Sequence, residues 1–238
     1  MSTSTNQNLI ERLFKAGAHF GFKKSRRHPT VTPYLFTTKQ GNDIFDLEKS
    51  AALLEEAKAV VRGVAAQGKT ILFVGTKEEV VKVVKDTAEK IKSPYVVNRW
   101  IGGLLTNLSE IKKRVARMDQ LTRERESGEL ERKYTKKERV ILGREANKLA
   151  FYFGGVATMQ KLPDLMVVVD PRHDTIAVEE ARDTKVPVIG IMSSDCNVTK
   201  VTYPVLVNDA LQSSVATALG ELVAAYEAGQ AEAVAKRA

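Results

Sequence analysis

A doubly wound α/β sheet interrupted by a helical hairpin is the fold class this sequence predicts, on three observations. Short apolar runs at 70–74 (TILFV), 165–169 (LMVVV) and 186–191 (VPVIGI) are continuous rather than alternating, as in parallel strands covered on both faces. Segments of 3.6-residue apolar period lie between such runs, the rhythm of strand–helix–strand crossovers. At residue 107 this rhythm breaks into about 47 residues of charged helical pattern, then resumes.

In chain order, residues 1–8 are polar and read as a loose tail. Asn8 to Ala16 places Leu9, Leu13 and Ala16 on one side of a helix. Residues 16–36 carry glycines, prolines and the cations Lys23, Lys24, Arg26 and Arg27, which predicts an ordered basic loop. Tyr34 to Phe36 and Asp43 to Leu47 flank the turn at Gln40-Gly41-Asn42 as a small hairpin. A helix follows from Leu47 and ends at Gly68, then the strand at 70–74, a turn at Gly75-Thr76, a helix from Glu78 to Ile91 and a strand at Tyr95 to Val97.

Residues 98–107 (NRWIGGLLTN) form a corner between that strand and the next helix. The corner holds Arg99, the chain's single tryptophan, Trp100, and the pair Gly102-Gly103, which permits a sharp change of direction. Asn107 is the expected N-cap, with Glu110 completing an Asn version of the capping box. Helices at 107–126 and 136–153 follow, separated by Ser127-Gly128. Leu108, Ile111, Val115, Met118 and Leu121 make a stripe too narrow for a globular core and typical of a two-helix coiled coil. Afterwards come a strand at Leu165 to Val169, a helix at Thr175 to Asp183, strands at Val186 to Ile191 and Val205 to Val207, and a helix from Asn208-Asp209 to about Tyr226. The expected organisation is a discontinuous α/β core (1–106 and 154–228), an inserted hairpin (107–153) and a frayed tail (229–238).

Composition narrows the function. The 238 residues carry 37 Lys+Arg against 29 Asp+Glu, a formal charge of +8, which points to a polyanionic partner. The segment 107–153 alone has 13 basic and 8 acidic residues. The cluster at 23–27 contains no acid and sits off any expected helix, so its mutual repulsion calls for an anion. One cysteine, Cys196, excludes an internal disulfide and a CxxC site, and no base is evident beside it. The N-terminus lacks a basic-then-apolar signal and no apolar run reaches membrane length, so a cytoplasmic protein is expected.

Motifs for catalysis are weak. Residues 63–70 (GVAAQGKT) spell G-x-x-x-x-G-K-S/T, but a helix precedes and a strand follows, the reverse of the order that aims a helix N-terminus at phosphate. Residues 74–79 (VGTKEE) occupy the right place for an anion loop but lack the glycines. A nucleotide-using enzyme is therefore the rival reading, without a Mg²⁺ carboxylate or a phosphate cradle to support it; a protein adaptor acting through the hairpin is another. His19 with Asp195 or Asp209 is compatible with a metal clip, although a hydrogen-bonded structural His19 is preferred, and no metal or cofactor is expected.

The strings AGAHFG (16–21), PYLF (33–36), DLEKS (46–50), NRWIGGLLTN (98–107), LPDLMVVVD (162–170), VPVIGI (186–191) and Asn208-Asp209 together resemble the bacterial-type ribosomal protein S-two family, over about residues 9 to 225. The resemblance implies a flavodoxin-like domain with an inserted coiled-coil hairpin. It also implies binding to small-subunit ribosomal RNA and a neighbouring protein S-one, with no catalysis, no membrane and no small-molecule substrate. Phe22, His28-Pro29-Thr30, residues 193–198 (SSDCNV) and Ala210 depart from the family's usual pattern, and the last two remove carboxylates. Lys23, Lys24, Arg26, Arg27, Lys39, Arg99, Lys112, Lys113 and Arg114 are the candidate RNA contacts; Trp100, Gly102, Gly103 and Asn107 are the structural corner. Trp100 is expected to wedge the hairpin root rather than stack on a base, because Ile101 and Leu104 flank it.

Overall fold

The computed structural model describes residues 2–235. Helix α1 (Ser2–Lys15) leads into a three-stranded antiparallel sheet of β1 (Phe20–Lys23), β2 (Leu35–Lys39) and β3 (Asn42–Phe45), in the order β1-β3-β2. Two 3₁₀ turns, Lys24–Arg26 and Pro29–Tyr34, lie between β1 and β2. The expected loose start is thus helical, and the expected basic loop begins as a strand. The short FGFK string of β1 carries no alternation long enough to identify it.

The main sheet is parallel. It comprises β4 (Ile71–Val74), β5 (Tyr95–Val96), β6 (Leu165–Val169), β7 (Val188–Met192) and β8 (Tyr203–Leu206), in the order β5-β4-β6-β7-β8. Counted from β4 this is 2-1-3-4-5, the flavodoxin-like order, with its topological switch between β4 and β6. Helices α2 (Leu47–Ala66), α3 (Val81–Lys90), α7 (Thr175–Asp183) and α8 (Gln212–Ala235) cover it; α4 (Leu108–Glu126), α5 (Glu129–Lys133) and α6 (Lys136–Phe153) intervene between β5 and β6.

Strand geometry explains why the apolar runs are unbroken. Ile71, Phe73, Leu165, Val167, Val169, Ile189 and Ile191 point into a core shared with α1, α2, α3 and α8. Leu72, Val74, Met166, Val168, Val188 and Met192 point the other way, into a core with α7, Trp100 and Phe153. Ile111 of α4 joins this second core, so the hairpin root is continuous with the body. Further out, Met118, Leu121 and Leu130 stay buried between the hairpin's own helices, and Arg117 of α4 pairs with Glu145 of α6 at 3.2 Å.

Several boundaries differ from expectation. Strand β8 starts at Tyr203, two residues early, because Pro204 is tolerated on an edge strand. Helix α3 starts at Val81 after a turn, and α8 starts at Gln212. The expected frayed tail is corrected for residues 229–235. Gly229 presses against α2 so closely that a Cβ would fall 2.3 Å from the Arg62 carbonyl, and Arg62 pairs with Glu232. Residues 236–238 lie outside the described residues.

Candidate nucleic-acid interface

The corner is organised by a residue that the sequence did not reveal. Glu180 on α7 is buried and accepts from Trp100 Nε1 (3.1 Å), the Gly103 N–H (2.7 Å), the Leu105 N–H (3.0 Å), the Thr106 N–H (3.3 Å) and Thr106 Oγ1 (3.2 Å). Burial alone would raise its pKa; the Gly103, Trp100, Leu105 and Thr106 donors outweigh it and hold the carboxyl below its ordinary value. Trp100 is 7% exposed, so it wedges the corner and offers no face to a base. Of the two glycines only Gly103 needs its freedom, at φ +89°.

Asn107 occupies the N-cap position of α4, but the expected capping box is not formed. Its side chain makes no cap bond to the helix backbone; Oδ1 accepts from Ser109 Oγ at 3.1 Å, and Glu110 pairs with Lys113 at 2.5 Å. The box forms instead at α6, where Glu138 accepts from the Thr135 N–H and hydroxyl at 2.9 and 2.8 Å.

The basic segment 23–27 is not without counter-charge. Arg27 donates through Nε to Asp43 Oδ2 at 2.8 Å and through Nη2 to Asp43 Oδ1, and Asp43 is completely buried. Arg27 is therefore a structural cation that neutralises β3. Arg26 donates to Asp195 at 3.2 Å and lies 4.4 Å over the Phe22 ring, yet remains half exposed. Lys23, Lys24, Lys39 and Arg99 are exposed, as are Lys112, Lys113 and Arg114 on α4. The structure thus splits the nine candidates: eight face solvent and Arg27 faces inward.

The carboxyl ends of β4 and β6, where such sheets take ligands, hold an internal charge cluster. Lys77 Nζ lies 3.2 Å from Asp170 and 3.5 Å from Asp209. Burial would lower the lysine's pKa; Asp209 and Asp170 more than reverse that. Asp209 is pushed up to about 7 by burial and by Asp170. Thr76 donates its N–H and hydroxyl to Asp174 at 3.2 and 2.8 Å, so those two donors of the 74–79 loop are committed to the protein itself. Cys196 is buried, and burial together with Asp170 and Asp209 pushes its thiol far up, which makes it a poor nucleophile.

The metal clip of His19 with Asp195 or Asp209 is not assembled. Among the described residues, the groups that converge are Asp170, Cys196 and Asp209, within 4.8 Å of one another. Asp195 is held by Arg26 and Arg172, and the His19 ring stacks on Phe14 with centroids 4.6 Å apart. The GVAAQGKT string ends α2, and Gly68 at φ +65° turns the chain towards β4, so Lys69 has no helix N-terminus beside it. Among the described residues, no helix is long and apolar enough to cross a membrane.

The buried Glu180 and Asp43 and the exposed Arg172 and Lys200 are the residues of this region that sequence reasoning missed. Each acts on partners from a distant segment, so no local pattern marks them.

Comparison with known proteins identifies the family. Small ribosomal subunit protein uS2 of Trichormus variabilis is 38% identical over 221 residues, covering 93% of this chain and 83% of that one. The uS2 of Microcystis aeruginosa is 39% identical over 213 residues, 90% of this chain and 80% of its own. The uS2c protein of Rhodomonas salina is 39% identical over 220 residues, 92% and 90%. The model of the family described as Ribosomal protein S2 matches residues 13–229, and the chain belongs to that family.

Proposed function

We propose that the chain is a structural constituent of the small ribosomal subunit that holds small-subunit ribosomal RNA through its basic surfaces and performs no catalysis. The observation that carries this reading is the family match across residues 13–229, joined to exposed cations on two separate elements, the 23–26 segment and α4. Phosphate neutralisation supplies most of the affinity, and recognition is by backbone and shape, since A-form RNA hides its major groove. At the carboxyl ends of the strands Lys77 is paired with Asp170 and Asp209 of the chain itself, which favours a scaffold over an enzyme.

The segment 107–153 acts as an inserted strut that fixes where the body sits on RNA. Its root is anchored by the Glu180 corner and its flanks present Lys112, Lys113 and Arg114. Neighbouring ribosomal proteins, protein S-one included, are the expected protein contacts. An exposed aromatic patch of Phe14, Phe20 and Phe36 supports such a contact. The place of action is the cytoplasmic ribosome.

Co-sedimentation of the tagged chain with small subunits at moderate salt tests the assignment, and free chain throughout the gradient overturns it. For the surface itself, Lys23→Ala with Lys24→Ala lowers the slope of log K against log salt by about 0.7–0.9 for each phosphate no longer neutralised. An unchanged slope removes that segment from the interface.

A further inference from the structure

Beside the Lys77 cluster lies an open cleft of about 370 Å³, lined by Arg26, Arg27, Arg172, Thr175, Asn197 and Lys200, among others. It sits between the turn after β1, the start of α7 and the loop after β7. We propose that this cleft seats one phosphodiester of the ribosomal RNA backbone, clamped jointly by Arg26 and Arg172. The inference rests on the RNA-binding reading above and adds the cleft and its contacts to it.

Charge singles out the arginine pair. One oxygen, Asp195 Oδ2, accepts from both Arg26 (3.2 Å) and Arg172 (2.7 Å). Two guanidiniums therefore share a single negative charge, and one positive charge is left over at that point. The other charges on the cleft are accounted for: Arg27 is neutralised by Asp43, and Lys200 lies 3.7 Å from Glu179. Among the lining residues the surplus is thus on the pair; behind Asp195 lie Asp170 and Asp209, which share Lys77.

Geometry adds to this. A guanidinium carries five N–H donors in a fixed fork, and the Asp195 bond engages one nitrogen of each arginine, Nη2 of Arg26 and Nη1 of Arg172. The Arg26 and Arg172 side chains are 54% and 55% exposed, so donors remain for an incoming anion. Asp195, 5% exposed, fixes both forks from beneath, and the Phe22 ring supports the face of Arg26. Such pre-set forks suit the tetrahedral oxygens of phosphate. Asp174 gives α7 no side-chain cap because it is bound to Thr76, which leaves the start of that helix, at Thr175 on the cleft wall, favourable to negative charge.

The test measures binding of the full chain to small-subunit ribosomal RNA across a salt series, with Arg172→Met, Arg26→Met, the double variant and Lys69→Met as a cation outside the cleft. Each single variant is expected to lower the log–log salt slope by about 0.7–0.9, and the double variant by about the same amount, because one phosphate is shared. Lys69→Met leaves the slope unchanged. Two single variants at separate positions keep the test decisive if one of them misfolds, as circular dichroism reports. If the wild type binds and both single variants keep its slope, the cleft assignment is overturned while the RNA-binding reading stands. A double variant whose slope falls about twice as far gives each arginine its own phosphate and overturns the shared clamp. A thermal shift with inorganic phosphate that Arg172→Met abolishes, with the RNA slope unchanged, assigns the site to free phosphate and overturns the proposal. Wild type without affinity for the RNA overturns the underlying reading itself.

Discussion

Two buried acidic sites in this protein behave in opposite ways. At the corner, the lone carboxylate of Glu180 meets five hydrogen-bond donors and is held ionised. At the crevice, Asp170 and Asp209 share one ammonium with Cys196 close to both acids, and Asp209 is pushed up to about 7. Asp209 is fully buried and Glu180 is 8% exposed, so burial weighs more heavily on Asp209. At Glu180 the donors aimed at its oxygens outweigh burial, whereas at Asp209 burial and the neighbouring acids outweigh Lys77.

The largest expected effect would break that comparison outright. Glu180→Ala strands the buried Trp100 indole N–H and Leu105 N–H and removes the acceptor of the half-buried Gly103 N–H and the Thr106 N–H, at a cost of about 3–5 kcal/mol in urea unfolding. Asp209→Asn removes a carboxylate that its own surroundings disfavour, and costs less than about 1.5 kcal/mol at pH 8. Equal losses in the two variants would mean that the two sites do not differ as described.

A smaller effect, in the pH dependence, sharpens the contrast. Asp209 has a native pKa above its unfolded value of about 3.9, so the native state holds the extra proton between the two. Its contribution lowers stability as pH rises from about 4 to about 7, and the full penalty stands above that. Glu180 works in reverse: its contribution is complete above the unfolded value of about 4.3 and disappears as pH falls through its lowered native value. Unfolding curves at pH 5, 6, 7 and 8 should therefore show Asp209→Asn flattening the profile across this range. An identical profile in wild type and variant contradicts the raised value.

The smallest effect separates the two corner glycines. Gly103→Ala forces a side chain into φ +89° and costs about 1–2 kcal/mol. At Gly102 the nearest atom to an added Cβ is Glu180 Oε1 at 4.0 Å, so Gly102→Ala stays within about 0.5 kcal/mol of wild type when both variants are compared by thermal melting.

The contrast between corner and crevice also bears on what is legible in the sequence. Strand β6 and helix α7 fall at the bounds their sequence predicts, Leu165–Val169 and Thr175–Asp183, because burial on both faces and helical period are local signals. The corner is visible as a corner, since its glycines and tryptophan are adjacent. Glu180 is not, because it lies 74 to 80 residues from its donors and only the sheet order brings it there. Distance in the chain also hides the counter-charges of the basic segment: Asp43 and Asp195 come from other segments to meet Arg27 and Arg26. The capping box expected at Asn107 shows a subtler limit. Its letters are suitable, but Ser109 and Lys113 take up the two side chains.

The burial of Trp100 has an optical consequence. The chain has one indole, and it reports from the joint between body and hairpin. Its fluorescence therefore watches that joint alone, and a change in emission tracks the loosening of a single hinge whatever the remaining helices do.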